Sequence, residues 1–283
     1  MKTAIIDGIS TRYDVVGDGP PLLMYAPGGF DATIEKWSTQ GIYAKFKPLD
    51  HLTKHFSCIV FDRRECGLSG GRIERVTYAH YVQHGLGLLD HLKIEQAHLM
   101  GGCMGCSPVA LFGVLHPERV KSVVLYWPVG GAKYRLAGQM RFAEHLGFVN
   151  REGQAAVVKL AREGGKPFGT DPRGGPFASV LQHDAAFAES YAAFNVEKYK
   201  HLIAGWARTM FDRDTAPGAE PEDMLCCDVP AFIVPGNDAS HATSAARFLH
   251  ECLPKSEYWD IPVAEQTEAV VSPRLVEFLQ RAG

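Results

Sequence analysis

The sequence lacks a long apolar run and a large excess of either charge. No stretch reaches the roughly 18 consecutive apolar residues of a membrane-spanning helix, so we expect no membrane span. Lysine and arginine number 29 against 32 aspartates and glutamates, for a formal net charge of -3. This near-balance argues against a nucleic-acid or anionic-membrane partner, because such proteins neutralise phosphates with an excess of basic side chains.

The sequence also lacks an apolar segment after Lys2, so we expect no signal peptide. The seven cysteines are an odd number in a long chain, which favours free thiols in a reducing cytoplasm. Cys103 and Cys106 have no second pair of ligands at zinc-finger spacing. We therefore predict a cytoplasmic protein with no metal and no cofactor.

Short apolar segments alternate with helical patterns, which is typical of a mostly parallel sheet with helices on both faces. The predicted strands are AIIDGISTRYDVVG with a turn at Asp7-Gly8, PLLMYAP, FSCIVFDRR, AHLMGG, KSVVLYWP, VPAFIVPG and SEYWDIPV. The predicted helices are 78–92, 104–115, 132–148, 185–210, 243–252 and 272–281. We predict one core, residues 1–127 and 228–283, interrupted by a helical lid, residues 128–227. Such a lid would cover the carboxyl ends of the strands, where open sheets of this class bind ligands.

The most informative motif is Gly101-Gly102-Cys103-Met104-Gly105, between the strand AHLM and a helix. Small residues two places before and after the central one let a strand turn sharply into a helix, which exposes the central side chain. At a helix N-terminus the Cys103 thiolate is favoured by the helix dipole and by unpaired N–H groups. We predict that Cys103 is a nucleophile and that the N–H of Met104 points at the substrate oxygen.

This motif, with cysteine in place of the usual serine, resembles the nucleophile elbow of the α/β-hydrolase superfamily. Other segments similar to that family are Pro27-Gly28-Gly29-Phe30, Asp62-Arg63-Arg64-Glu65-Cys66-Gly67-Leu68-Ser69, His116-Pro117-Glu118-Arg119-Val120 and Pro235-Gly236-Asn237-Asp238. The resemblance implies an α/β-hydrolase fold, with a mostly parallel sheet, helices on both faces and a helical lid. It also implies that Cys103 is the nucleophile and Asp238 the triad acid, and that Gly29 and Met104 supply the oxyanion N–H groups.

The sequence departs from the family in its histidine. In the family the catalytic histidine follows the last core strand, but here no histidine occurs after His250. His241, three residues after Asp238, could act as the base with Asp238 orienting it. The other candidates are Glu265, Glu268 and Gln266 of the C-terminal loop, and His145 and His183 of the lid. A thiol also needs less help than a hydroxyl, so acylation without a histidine stays open.

Four residues are predicted to bind substrate: Gly28 and Phe30 of the oxyanion loop, and Trp127 and Tyr134 at the start of the insertion. The aromatic residues of the lid suggest a partly apolar pocket. Cys103 and Cys106 also form a C-x-x-C, but the surrounding sheet does not suit a thioredoxin-like domain, although oxidation of Cys103 could switch activity off.

These observations predict a hydrolase that acts on an acyl bond of a small, partly apolar substrate through a Cys103 covalent intermediate, and transfer of the acyl group to a nucleophile other than water stays open. The bond would be an ester, a lactone, a thioester or a C–C bond next to a carbonyl. Two alternatives stay open, namely a small-molecule-binding homologue without turnover, and a lyase or cofactor-free oxygenase on the same fold. The expected partner is the small-molecule substrate, without nucleic acid or membrane, and a homodimer is possible.

Overall fold

The computed structural model of the protein describes residues 1–282. Eight strands form one sheet in the order β1-β2-β4-β3-β5-β6-β7-β8. The strands are β1 (Lys2–Ile6), β2 (Ile9–Val16), β3 (Pro21–Tyr25), β4 (Ser57–Phe61), β5 (Ala97–Gly102), β6 (Val120–Tyr126), β7 (Ala231–Val234) and β8 (Ser256–Tyr258). β2 pairs antiparallel with both β1 and β4, and the other neighbours are parallel. The predicted mostly parallel sheet is confirmed.

The sheet is buried between two layers of helices, as its continuous apolar strands require. The helices of the chain are α1 (Lys36–Thr39), α2 (Gly41–Phe46), α3 (Pro48–Leu52), α4 (Tyr78–His91), α5 (Cys106–Leu115), α6 (Ala132–Glu152), α7 (Gln154–Arg162), α8 (Ala178–His183), α9 (Ala185–Ala193), α10 (Val196–Met210), α11 (Pro221–Met224), α12 (Thr243–Cys252) and α13 (Glu268–Arg281). Alternate residues of β5 divide between the two layers. Leu99 packs with α4, α5 and α12, whereas Met100 packs with α2, α3 and α13. The sheet therefore has a core on each face.

Helices α6 to α11 lie between β6 and β7, in the segment predicted to be a lid. Phe30, from the loop after β3, packs edge-on against Phe142 of α6, with ring centroids 5.4 Å apart. It also contacts Phe168 and Trp206 at 5.2 and 5.9 Å. This aromatic cluster joins the inserted helices to the sheet. The limits of the lid at residues 128 and 227 stay a prediction.

Several predicted elements differ in extent from the observed ones, among them α6, which continues to Glu152. The helix predicted over 185–210 is two helices, α9 and α10, because the side chain of Asn195 accepts a hydrogen bond from the N–H of Lys198 and begins a new helix. α13 begins at Glu268 and continues through Pro273. Pro273 is typical of a first helical turn, which explains the later predicted start. β8 stops at Tyr258, so the predicted strand SEYWDIPV is mostly loop.

Within residues 1–282, no helix has both the length and the apolar character needed to cross a bilayer.

Candidate active site

Cys103 lies in the sharp turn between β5 and α5, as predicted from its flanking glycines. Its φ is 55°, a left-handed conformation that a non-glycine residue rarely adopts. A Cβ atom on Gly101 would lie 2.5 Å from the carbonyl oxygen of Gly105, and one on Gly105 would lie 2.4 Å from that of Tyr25. Both distances are far inside van der Waals contact, so glycine is required at these two places. The turn holds the thiol at the carboxyl edge of the sheet.

The thiol faces a cavity of about 220 Å³ beneath the inserted helices. Cys103 itself is only 9 % exposed, so most of its surface is covered by protein. The cavity is lined by Gly28, Gly29, Phe30, Gln40, Cys103, Met104, Tyr134, Arg141, Gly169, Phe211, Ser240 and His241. It therefore brings together the elbow, the loop after β3, helix α6 and the loop after β7.

His241 and Asp238 form a hydrogen-bonded pair on the loop after β7. Nδ1 of His241 lies 2.9 Å from both Oδ1 and Oδ2 of Asp238 and donates to this carboxylate. Asp238 also accepts from the backbone N–H groups of Ser240 and His241, at 2.8 and 2.9 Å. These bonds lock the loop so that the ring edge opposite the acid, Nε2, is turned toward the cavity and Cys103.

The electrostatics link His241 to the sulfur. Burial disfavours a charged imidazole, but the Cys103 thiolate and the Asp238 carboxylate outweigh it and raise the pKa of His241 to about 9. Burial likewise disfavours the thiolate, but His241 and the N–H groups of Met104 and Gly28 lower the pKa of Cys103 below its usual value. Within residues 1–282, the buried Nε2 of His241 has no partner that meets hydrogen-bond distance and angle. Such a site favours a thiolate–imidazolium pair.

The glycine pair and Met104 provide the candidate oxyanion donors. Gly28 and Gly29 have φ angles of 116° and 61°, and both line the cavity beside Met104. The N–H groups that act on the sulfur are those of Met104 and Gly28, whereas the sequence pointed to Gly29. The role predicted for Gly29 stays a prediction. A buried arginine, Arg63, donates to the Gly29 carbonyl and so fixes the orientation of this loop.

The loop after β8, where the family has its catalytic histidine, has a structural role through Gln266. The side chain of buried Gln266 accepts from the Tyr126 hydroxyl at 2.8 Å and from Nε1 of Trp127 at 2.7 Å. It donates to the carbonyl of Pro235 at 3.0 Å. Gln266 therefore ties the ends of β6 and β7 together. Glu265 is exposed, and Glu268 binds His51 at the surface, with 2.8 Å between Nε2 and Oε1.

The two candidate histidines of the inserted segment, His145 and His183, make hydrogen bonds elsewhere. His145 is buried and its Nε2 lies 2.7 Å from the Tyr199 hydroxyl. His183 is exposed, and its Nδ1 lies 2.8 Å from the carbonyl of Ser179. Within the described residues, the cavity wall has four titratable side chains, Cys103, Tyr134, Arg141 and His241. His241 is the one histidine among them, and the described wall has no carboxylate.

The predicted substrate residues divide between two places. Gly28, Phe30 and Tyr134 line the cavity, but Trp127 is outside the wall as far as residues 1–282 define it. Its indole packs against the His241 ring, with centroids 5.3 Å apart, and its φ of 56° is unusual for a bulky residue. Trp127 thus supports the imidazole.

Sequence patterns missed several wall residues, notably Gln40, Arg141 and Phe211. They come from α6 and from loops far apart in the chain, and no local spacing brings them together. The buried hydroxyl of Tyr134 has no hydrogen-bond partner within residues 1–282. Burial raises the pKa of Tyr134 well above its usual value, so this hydroxyl stays protonated and can donate.

A family model described as alpha/beta hydrolase fold matches residues 21–145. This stretch runs from β3 through the elbow into α6. The match covers less than half of the chain and agrees with the resemblance seen in the elbow and its neighbouring loops. The predicted α/β-hydrolase fold is confirmed.

The chain is similar in sequence to two bacterial enzymes over less than half of its length. It is 31 % identical over 127 residues to the dihydrolipoyllysine-residue acetyltransferase component of the acetoin cleaving system of Cupriavidus necator, which covers 45 % of this chain and 32 % of that protein. It is 33 % identical over 134 residues to a 2-hydroxymuconate semialdehyde hydrolase of Pseudomonas sp., which covers 46 % and 44 %. The matches thus span less than half of these relatives.

A solved structure matches the whole superfamily fold. The enol-lactonase of Burkholderia xenovorans LB400 superposes with a TM-score of 0.63 over 99 % of this chain and 100 % of that one. The identity is 21 %, so this likeness concerns the fold.

Proposed function

We propose that the protein is a hydrolase that cleaves an acyl bond through a covalent intermediate on Cys103, with His241 as the base and Asp238 as its orienting acid. One observation carries the proposal. A thiol at a strained elbow shares one cavity with an imidazole whose other nitrogen is fixed by a carboxylate at 2.9 Å. This is the nucleophile, base and orienting acid that acyl transfer requires.

Acylation begins from the thiolate–imidazolium pair. The Cys103 sulfur attacks the carbonyl carbon and a C–S bond forms, while the electron pair of the C=O bond moves to oxygen. The N–H groups of Met104 and of the Gly28-Gly29 pair stabilise this oxyanion. When the oxyanion collapses, the bond to the leaving group breaks, and the leaving group takes the proton from Nε2 of His241. The product is a thioester on Cys103.

Deacylation uses the same imidazole as a general base. Neutral His241 accepts a proton from a water molecule, whose oxygen attacks the thioester carbonyl. The C–S bond breaks, the carboxylic acid leaves, and the sulfur departs as the thiolate beside protonated His241. Asp238 keeps the proton on Nδ1 throughout, so that Nε2 is free to exchange protons with the reacting groups.

The cavity limits the substrate to a small molecule. Its volume of about 220 Å³ lies below the ~300–1,000 Å³ of typical drug-sized ligand pockets. Phe30, Phe211 and Met104 give it apolar surface, and the Tyr134 hydroxyl gives it a donor. Esters, lactones, thioesters and C–C bonds beside a carbonyl fit these limits. The names of the relatives, among them a hydrolase and an acetyltransferase, agree with acyl chemistry.

The test combines kinetics with intact-mass spectrometry. Short-chain 4-nitrophenyl esters serve as acyl donors, and Cys103→Ala and Cys103→Ser are compared with Cys226→Ala, whose thiol is exposed and remote from the cavity. We expect one acyl adduct in the wild type and in Cys226→Ala, and loss of adduct and turnover in Cys103→Ala. Wild-type turnover by Cys103→Ala would contradict the covalent route, and the absence of an adduct with every donor would favour a binding protein.

Three further expectations are carried forward as parts of this proposal. Residues 128–227 act as a lid over the cavity, the protein works in the cytoplasm, and its partner is a small-molecule substrate, with a homodimer as the possible assembly. The walls that Tyr134, Arg141 and Phe211 contribute support the lid.

A further inference from the structure

The cavity wall carries one arginine, Arg141, in the middle of α6. Arg141 lies seven residues after Tyr134, which is about two helical turns, so both side chains share one face of α6. Gly138 lies between them on that face and lets the ring of Phe211 pack directly on the helix. The face of α6 toward Cys103 therefore presents a hydroxyl, an aromatic ring and a guanidinium.

Arg141 has no ion-pair partner among residues 1–282. Arg135 on the same helix differs, because its Nε lies 2.6 Å from Oδ1 of Asp214. The described wall contains no aspartate or glutamate at all. A guanidinium stays charged at any physiological pH and, when partly removed from water, it favours an anion beside it.

The other charges of the wall cancel. Cys103 and His241 together carry no net charge, whether their shared proton lies on the sulfur or on Nε2 of His241. Asp238 lies behind the imidazole, and 48 % of its side chain is exposed at another cleft. Acylation leaves this balance unchanged, because the thioester is neutral and the leaving group takes the proton of the imidazolium. Arg141 is thus the uncompensated charge that a substrate meets.

We propose that Arg141 binds a carboxylate of the substrate, so that the protein acts on small acyl compounds that carry an acid group away from the scissile carbonyl. This inference rests on the proposed hydrolase function for the part that concerns turnover. A carboxylate fits because its two oxygens match the planar fork of one guanidinium. The small volume of the cavity leaves room for a short chain between the acid and the reacting carbonyl.

The test uses two esters of equal size that differ in charge. Mono-4-nitrophenyl glutarate carries a carboxylate, and 4-nitrophenyl glutaramate carries a neutral amide in its place. The measured quantity is the ratio of kcat/KM for the acid over the amide, for the wild type, Arg141→Gln, Arg141→Lys and Arg151→Gln. Arg151 is an exposed arginine of the same helix and serves as the matched control.

We expect a ratio of about tenfold to hundredfold in the wild type and in Arg151→Gln, the range for a hydrogen-bonded charge. Arg141→Gln should bring the ratio close to one, and Arg141→Lys should keep part of it. A ratio near one in the wild type, or an unchanged ratio in Arg141→Gln, overturns the proposal. Melting temperatures of the variants show that each one is folded.

A binding measurement separates this inference from the proposed function. Calorimetry with glutarate is performed on Cys103→Ala and on the double variant with Arg141→Gln, neither of which needs turnover. If the double variant binds glutarate at least tenfold more weakly than Cys103→Ala, the carboxylate site is supported even if no ester is hydrolysed. Equal affinity of the two proteins overturns it, even if ester hydrolysis through Cys103 has been demonstrated.

Discussion

At the scale of single residues, the proposed chemistry depends on the position of His241. Its Nδ1 is held by Asp238, three residues earlier on the same loop, and its Nε2 faces Cys103. Burial alone would keep the thiol protonated, so the lowered pKa of Cys103 depends on the imidazolium and on two backbone N–H groups. The thiolate exists above the lowered pKa of Cys103, and the imidazolium persists up to about pH 9.

Replacement of His241 with glutamine should make Cys103 a weaker nucleophile near neutral pH. Without the imidazolium, burial dominates and the pKa of Cys103 rises, so the alkylation rate should increase only at higher pH. We expect iodoacetamide to react about tenfold more slowly at pH 7 for each unit by which the pKa of Cys103 in the variant exceeds 7. The measurement is the rate of inactivation between pH 5 and pH 10.

Asp238→Asn is the matched control for that profile. It keeps the imidazole but removes the carboxylate that helps to raise the pKa of His241. Its alkylation profile should therefore lie between those of the wild type and His241→Gln. If the wild type and His241→Gln give the same profile, His241 has no part in activating the thiol.

The residues of the elbow could be predicted from sequence, but those of the opposite wall could not. The spacing of Gly101 and Gly105 around Cys103 has a steric cause that acts within five residues. His241 was one candidate among several, because its distance along the chain from Asp238 allowed contact without requiring it. Arg141 reaches the cavity only through the packing of α6 over the sheet, and no local pattern encodes that.

Helix α6 shows how one element serves both packing and the site. Two glycines, Gly138 and Gly147, lie within this continuous helix, and their surroundings differ. A Cβ atom at 138 would lie 2.1 Å from the ring of Phe211, whereas one at 147 would meet only the end of the flexible Arg151 side chain, at 3.3 Å. Gly138 thus allows a close approach that Gly147 does not need.

Alanine at these two positions should change stability in opposite directions. Gly138→Ala should destabilise the protein by about 1–3 kcal/mol, because Phe211 must move. Gly147→Ala should stabilise it by about 0.5–1 kcal/mol, because alanine loses less backbone entropy in a helix. Urea unfolding gives both values, and a stabilised Gly138→Ala would show that Phe211 does not pack there.

The positions of helices and strands can be predicted where residues close in sequence determine them. Predicted and observed bounds agree for α12, whose apolar positions repeat with helical spacing. The break between α9 and α10 was missed, because the apolar pattern continues across it while Asn195 starts a new helix. The early end of β8 was also missed, since it reflects the edge of the sheet and not the residues of SEYWDIPV.

At the scale of the whole molecule, Gln266 joins three parts of the chain that meet at the carboxyl edge of the sheet. Its amide connects the loop after β8 to Tyr126 and Trp127 at the end of β6 and to Pro235 at the end of β7. Trp127 in turn packs against His241. The support of the candidate base therefore depends on a residue from the far end of the sequence.

Leucine at position 266 should destabilise the protein and weaken its activity together. The Tyr126 hydroxyl, the Trp127 indole N–H and the Pro235 carbonyl would lose a buried partner, at a cost of about 3 kcal/mol or more. Gln280→Leu, on an exposed part of α13, is the control and should stay within about 0.5 kcal/mol of the wild type. Equal urea midpoints for Gln266→Leu and the wild type would contradict this role.

The placement of Asp238 and His241 on one short loop has a mechanical consequence. When acid and base come from separate loops, two alignments must be maintained, one between acid and base and another between base and nucleophile. Here a displacement of the backbone from 235 to 244 carries carboxylate and imidazole as one rigid body, and the proton stays on the correct ring nitrogen. Only the distance between Nε2 of His241 and the Cys103 sulfur is then left to vary, so small motions of this one segment change the reactivity of the thiol.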